Sequence, residues 1–367
     1  MLQKKFVCTY NLFTFEAHEY NKQIQFLLLF LFLLYKSRRG CICQSISLRN
    51  NQHTIPVSSR DFFYLNPKRL KRKIMENKRK KLNGAPVAHL IKKVSIQGIE
   101  GSFHQEAAWQ YFGKEIEMIY CPTFNEVVKI ARDKNKSDGG VMAIENSIAG
   151  SIMANYNLLR KGSLRTVGEV YLEIRQHLLV NPGVELEDIH EVHSHPMAIQ
   201  QCLKFLDNYN WKLVETEDTA LSAKNIHQHK SKHIAAIAGK LAAELYQLEV
   251  IVPDIHTVKN NYTRFLILQN EENAQFAEDA NKATITFHTD NSRGSLARVL
   301  MKIADGGIDL SKLQSFPIPE TTWQYMFGVD MEFEKLQQFY DVIESIRPIA
   351  EDVKIYGVYK KGKTIKV

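Results

Sequence analysis

The chain has 367 residues, 44% of them hydrophobic and 24% charged, a balance that excludes a disordered or fibrous protein and leaves room for two or three globular units. A formal net charge of +8 would point to a nucleic-acid partner if it were spread over the fold. Instead, residues 1–85 hold 17 Lys/Arg against 4 Asp/Glu, leaving 31 of the 48 basic and 36 of the 40 acidic residues for everything after, so the excess belongs to an N-terminal extension and no nucleic-acid partner is expected.

Within that extension, the apolar run Phe26–Tyr35 is about half of the roughly 20 residues that a membrane-spanning helix needs. Lys36, Arg38 and Arg39 follow it where a signal peptide would place small residues, so neither a membrane partner nor secretion is expected. Residues 36–85 are polar, basic and aperiodic and read as a solvated tail. Met75 stands directly before the first segment with a globular pattern, so residues 1–74 read as sequence upstream of the true start. Five cysteines, Cys8, Cys41, Cys43, Cys121 and Cys202, make no CxxC pair or spaced framework, as expected of a reducing, cytoplasmic setting.

From Val94 the pattern becomes alternating strand and helix. A strand at Val94–Ile96, a Gly-rich turn, a helix over Gln105–Phe112 and a strand at Gly140–Ile144 come first. Strands at Tyr171–Val180, Ile189–Ser194 and Trp211–Val214, with a helix over Pro196–Leu206, form a second set, followed by helices near Leu221–Ile226 and Gly239–Leu245. This βαβ texture predicts an α/β fold with helices on both faces of its sheets and ligands at the strand C-terminal ends. A polar linker, residues 271–281, then separates residues 92–270 from residues 282–362. The latter read as Ala283–Thr289 (strand), Gly294–Asp305 (helix), Asp309–Pro317 and Trp323–Phe333 (strands), Leu336–Ile346 (helix) and Val353–Tyr359 (strand), a ferredoxin-like βαββαβ unit.

Four clusters carry chemistry-bearing residues. Gly98-Ile99-Glu100-Gly101-Ser102-Phe103-His104 follows a strand and opens a helix, where glycines permit close backbone approach and free N–H groups can hold a carboxylate. Glu145-Asn146-Ser147 ends the Gly140–Ile144 strand in three different polar groups, which suits ligand recognition and equally suits helix capping. Ser194-His195-Pro196 precedes a helix that carries Gln201; Pro196 sits in its first turn and Ser194 or His195 caps it. Asn260-Asn261-Tyr262-Thr263-Arg264-Phe265 is a polar turn running into a strand. His190, His193 and His195, like His227, His229 and His233, are closely spaced but follow no zinc-ligand pattern, and no metal is read from them. No nucleophilic triad, phosphate loop or dinucleotide fingerprint is present.

In this order the clusters resemble the prephenate dehydratase family, and Gly294-Ser295-Leu296-Ala297 in the last unit resembles the Gly-Ala-Leu motif of the ACT domain that follows it. The resemblance covers Val94 to about Tyr359. It implies a two-lobed catalytic domain like a type II periplasmic binding protein, with the site in the cleft, plus a βαββαβ ACT domain. It also implies loss of water and CO2 from prephenate to give phenylpyruvate. That reaction restores an aromatic ring, so its driving force is in the substrate and no cofactor is expected. By the same resemblance Thr263 donates to the departing oxygen, Arg264 clamps a carboxylate, and Glu145 orients its neighbours. Asn146, Ser147, Ser194, Gln201 and the turn with Gly98, Gly101 and Ser102 complete the pocket.

Two sets of departures carry expectations of their own. Ile99, Glu100 and His104 replace the family's usual residues and are expected to alter the rim of the site. Gln314-Ser315-Phe316-Pro317 stands at the family's Glu-Ser-Arg-Pro, so a homodimer or tetramer is expected in which a bulky Phe316 fills effector space and L-phenylalanine inhibits weakly or not at all. Arogenate as substrate, and a non-catalytic amino-acid sensor, are the competing readings. Relative kcat/KM decides the first, and the intact Thr263, Arg264 and Asn146 weigh against the second.

Overall fold

The computed structural model describes residues 93–160, 162–274, 277–318 and 324–363, and three short strands before them. Contacts divide the chain into Met1–Lys73 and Ile74–Val367. In the first unit, β1 (Thr14–Glu16) runs parallel to β2 (Ile46–Asn50), which forms a hairpin with β3 (His53–Val57). The stretch expected to be a featureless tail therefore contains paired strands. Their register sets Ile46 opposite Val57 and Leu48 opposite Ile55, a period-2 alternation of the kind strands favour. The apolar run Phe26–Tyr35 and the basic clusters of residues 68–81 lie outside the described residues.

The second unit opens with β4 (Lys93–Gln97), α1 (Phe103–Phe112), β5 (Glu117–Cys121), α2 (Phe124–Arg132), β6 (Gly139–Asn146), the short β7 (Gly150–Ser151), α3 (Met153–Arg160) and β8 (Leu164–Glu173). The chain then builds β9 (His177–Val180), β10 (Glu191–Ser194), α4 (Pro196–Leu206), β11 (Lys212–Glu215), α5 (Thr219–Gln228), β12 (Ile234–Ala238), α6 (Lys240–Leu245) and β13 (Glu249–Val252). It returns to the first sheet as β14 (Tyr262–Asn270). Two crossings, at residues 174–176 and 253–261, thus link two αβ lobes. The run Tyr171–Val180, read above as one strand, is split because the chain changes sheets there.

In the first lobe the strand order is β8-β14-β6-β4-β5, and in the second β11-β10-β12-β9-β13. β6 is central and covered on both faces, which is why Gly140–Ile144 is apolar without alternation and wholly buried. β14, also covered on both faces, sends Phe265 and Ile267 into one core, with Val94, Ile96 and Ala107. Leu266 and Leu268 go into the other, with Val128, Ala131 and Leu159.

The remaining elements are β15 (Lys282–His288), α7 (Ser295–Asp305), β16 (Asp309–Pro317), β17 (Tyr325–Glu332), α8 (Leu336–Ile346) and β18 (Glu351–Tyr359). They form the expected βαββαβ unit, with antiparallel order β16-β17-β15-β18. β18 meets β8 through a parallel bridge between Gly357 and Thr166, so this sheet continues into that of the first lobe. Among the described residues no helix is long and apolar enough to cross a membrane.

Candidate active site

The antiparallel register of β14 and β6 places Thr263 opposite Asn146 and Arg264 opposite Glu145. Asn146 Nδ2 donates to Thr263 Oγ1 (3.1 Å), Asn261 Oδ1 (2.7 Å) and the Tyr262 carbonyl (3.2 Å). Its Oδ1 accepts the backbone N–H groups of Ile148 (3.0 Å) and Ala149 (2.9 Å). Those two donors fix which end of the amide is oxygen and so aim the NH₂ at Thr263. Because the threonine oxygen accepts from Asn146, its own O–H is left to donate elsewhere.

Asn261, fully buried, donates through Nδ2 to Gln201 Oε1 on α4 (3.0 Å). An amide chain Gln201–Asn261–Asn146–Thr263 therefore runs from the second lobe into the first. Sequence reasoning gave Asn261 no role; its only signal was its place in the polar turn before Thr263.

Ser147 and Ser194, expected to touch substrate, are engaged elsewhere. Ser147 Oγ donates to the Asn260 carbonyl (3.3 Å) and accepts from Tyr262 N (2.9 Å), closing the turn that delivers Thr263. Ser194 Oγ, fully buried, donates to the Ile237 carbonyl (2.6 Å) and ties β10 to β12. His195, not Ser194, caps α4, its Nδ1 accepting from Met197 N (3.2 Å). In the neutral ring the proton is thereby assigned to Nε2.

In the Gly-rich turn, Gly98 (φ +99°) and Gly101 (φ +89°) adopt backbone that L side chains rarely take. Gly98 N already donates to the Cys121 carbonyl (2.9 Å) and Gly101 N to Gln105 Oε1 (2.7 Å). The close approach they allow is to the other lobe. A Cβ on Gly101 would sit 3.2 Å from Ala242 Cα, and one on Gly98 3.1 Å from Asp218 Oδ2. Tyr246 of the second lobe also donates to the Glu100 carbonyl (2.7 Å). Ser102 Oγ is buried and has no partner among the described residues. Asp218 caps α5 by accepting from Leu221 N (3.1 Å), and burial raises its pKa.

Of the three substitutions in this turn Glu100 is exposed, whereas Ile99 and His104 do not sit at a rim. Ile99 packs on the second lobe's core with Ala220 and Ala242. His104 is buried against Phe265 (ring centroids 5.0 Å), accepts from Ala143 N (3.3 Å), and is lowered to a pKa of about 3 by burial, so it stays neutral.

Arg264 is placed differently from the expected carboxylate clamp. Successive strand residues point to opposite faces, and with Thr263 beside Asn146, Arg264 projects behind. There it is 5% exposed. Its Nε donates to Glu169 Oε2 (2.7 Å), its Nη1 to Asp330 and its Nη2 to Tyr359 Oη (3.0 Å). Lys282 completes this buried set, 3.1 Å from Glu169. Burial alone would push the Asp330 carboxyl up, yet the Arg264 charge and hydrogen bond beside it bring its pKa below the ordinary value. Glu145 is on the same side, its Oε1 2.6 Å from Lys312 Nζ.

In the C-terminal unit Gly294 (φ +76°) precedes α7; Ser295 Oγ donates to the Asp290 carbonyl (2.8 Å), Leu296 is half-buried and Ala297 exposed. Gln314 Oε1 accepts from Ser151 Oγ (3.4 Å) and its Nε2 donates to the Ser315 carbonyl (3.1 Å). Phe316 is buried against Tyr156 of α3 (5.3 Å) and under Arg160 (5.8 Å). Its ring thus packs on the catalytic lobe, a correction to the expectation that it fills effector space. Among the histidines, His190 stacks on His233 (4.9 Å) and His193 pairs with Glu191 (3.0 Å).

A model of the prephenate dehydratase family matches residues 94–273. The bifunctional chorismate mutase/prephenate dehydratase of Enterobacter agglomerans is 31% identical over 288 residues, 76% of this chain and 73% of that protein. Arogenate dehydratase 2 of Petunia hybrida is 32% identical over 288 residues, 74% of this chain and 73% of that one. The crystal structure of prephenate dehydratase in complex with L-Phe from Arthrobacter aurescens is similar with a TM-score of 0.67 and 25% identity, covering 75% of this chain and 92% of that one.

Proposed function

The chain belongs to the prephenate dehydratase family, and we propose that its cleft converts prephenate to phenylpyruvate with Thr263 as donor to the departing hydroxyl. In that reaction the bond to the ring carboxylate breaks, its electron pair enters the ring, and the C4–O bond breaks as the ring becomes aromatic. CO2 leaves, and the oxygen leaves as water once it gains a proton. A threonine hydroxyl is too weak an acid to supply that proton outright, so Thr263 acts as hydrogen-bond donor or relay. The observation that carries this reading is the pinned amide of Asn146, which donates to Thr263 Oγ1 and so leaves its O–H to donate elsewhere.

With Arg264 engaged behind the strand, other groups hold the two carboxylates. Ser102 Oγ, which has no partner among the described residues, and the Nε2–H of His195, set by its Nδ1 cap, are the donors best suited to them. The Gln201–Asn261 bond ties α4 of the second lobe to the crossing that delivers Thr263. The test is side-by-side kcat/KM for prephenate and arogenate with the full chain. Prephenate is expected to be preferred; the Petunia relative is what keeps arogenate in view, and a preference for it would move the reading to that substrate. Ligand binding without turnover of either would leave an amino-acid sensor.

Residues 282–362 serve as an ACT-type regulatory domain, with residues 92–270 as the catalytic domain, 271–281 as linker and 1–85 without catalytic role. β16 is the edge strand of the C-terminal sheet, the kind of strand through which a second copy can pair, and a homodimer or tetramer is the working assembly. Cys121 and Cys202 are free and buried, which suits a cytoplasmic enzyme. L-phenylalanine, bound in the Arthrobacter relative, is the effector. Inhibition is expected to be weak, because Gln314 is engaged with Ser151 and its own neighbour and no Glu-Arg pair shapes the pocket. Half-inhibition at low micromolar L-phenylalanine would overturn that expectation.

A further inference from the structure

Thr263 and Asn146 act from strand ends whose next residues, Arg264 and Glu145, point away from the cleft. The β14–β6 register shifts between Arg264 and Phe265, so the pairing that sets Thr263 against Asn146 lies beyond an irregularity, while β8 holds the other edge of β14 in unbroken register from Tyr262 to Ile267. Both rear residues are gripped by the C-terminal βαββαβ unit. Asp330 of β17 receives Arg264 Nη1, and Lys312 of β16 puts its Nζ 2.6 Å from Glu145 Oε1. The same ammonium donates to Ser151 Oγ (2.7 Å), in the residue paired with Glu145 across β6 and β7, and lies 5.1 Å from the centre of the Tyr156 ring. The Lys312 side chain is 9% exposed and that of Glu145 32%, so the contact is partly shielded from solvent and its charge and geometry count more than at a fully exposed pair.

We infer that Lys312 and Asp330 are positioning residues for the reaction: from the C-terminal unit they hold Glu145 and Arg264, and through them the strand ends that present Asn146 and Thr263. The inference rests on the roles given above to Thr263 and Asn146. A displacement of about 1 Å at reacting groups can cost about 10²-fold in rate. The contacts also make β16 and β17 the route by which a change in the C-terminal unit reaches the chemistry.

The test uses the full chain and four variants: Lys312→Met, Lys312→Arg, Glu145→Gln and the Lys312→Met/Glu145→Gln double. Lys312→Met is expected to fold and to lose about tenfold or more in kcat, a fraction of the rate that misplacement can remove, with KM little changed. Lys312→Arg should recover most of the loss. Because the two side chains act as one contact, the double variant should be no worse than the poorer single. Multiplying losses, or wild-type kcat in folded Lys312→Met, would overturn the inference, as would a drop in melting temperature with kcat intact. Asp330→Asn should lower kcat in the same way, and if it does not fold the Lys312 series decides alone. Amide hydrogen exchange at residues 145–147 and 262–264 should quicken in Lys312→Met. Unchanged exchange would reject the coupling even if the wild type failed to turn over prephenate, a result that would instead strike the proposed function.

Discussion

Thr263→Val should keep the fold and lower kcat by about 10²-fold or more, the range for losing one acid or donor in a transition state. Valine matches threonine in shape and is a good strand residue. Asn146 Nδ2 retains Asn261 Oδ1 and the Tyr262 carbonyl as acceptors, so no buried donor is orphaned and stability should change little. Only the group that meets the departing oxygen is lost, an interaction that strengthens as the C–O bond breaks, so the effect should fall on kcat more than on KM. Steady-state kinetics beside circular dichroism decide it: near-normal kcat in a folded variant would remove Thr263 from the mechanism. An equal rise in KM with kcat intact would make it a ground-state binding group.

Much of this site was legible in the sequence because it resides in short motifs at strand ends. The βαββαβ unit was legible because its strand and helix periods alternate cleanly. What local pattern could not show was where each polar group is engaged. Ser194 and Ser147 stand in ligand-like motifs, yet their hydroxyls donate to backbone carbonyls. The partners of Arg264 lie 95 residues upstream at Glu169 and 66 downstream at Asp330, separations no spacing rule reaches. α2 was not read at all, although Thr123, whose Oγ1 accepts from Glu126 N (3.3 Å), is a capping residue in the expected position. One signal was available and unused: adjacent strand residues face opposite ways, so Thr263 and Arg264 could not both have lined one cleft.

That geometry reverses what replacing Arg264 should do. A substrate clamp would make Arg264→Leu raise KM, whereas a guanidinium closed off between Glu169, Asp330 and Tyr359 makes it a loss of stability. Removing one partner of a buried charge set typically costs about 3–5 kcal/mol, because the carboxylates left behind have neither water nor a full set of countercharges. Lys282 remains beside Glu169 at 3.1 Å, so Asp330 is the more exposed to the loss. The pH dependence carries the sign. In the wild type the Asp330 pKa lies below its ordinary value, so its contribution is present above the unfolded pKa and is lost as pH falls through the folded one. In Arg264→Leu burial is opposed only by Lys282 and the Thr284 hydrogen bond and the Asp330 pKa rises, so the variant is hurt most near neutrality, where the carboxylate must stay charged, and its deficit shrinks as the pH falls and the group can protonate. Urea melts of both proteins at pH 7 and pH 5 should therefore converge at the lower pH. An unchanged midpoint at pH 7 together with a raised KM for prephenate would restore Arg264 to the substrate.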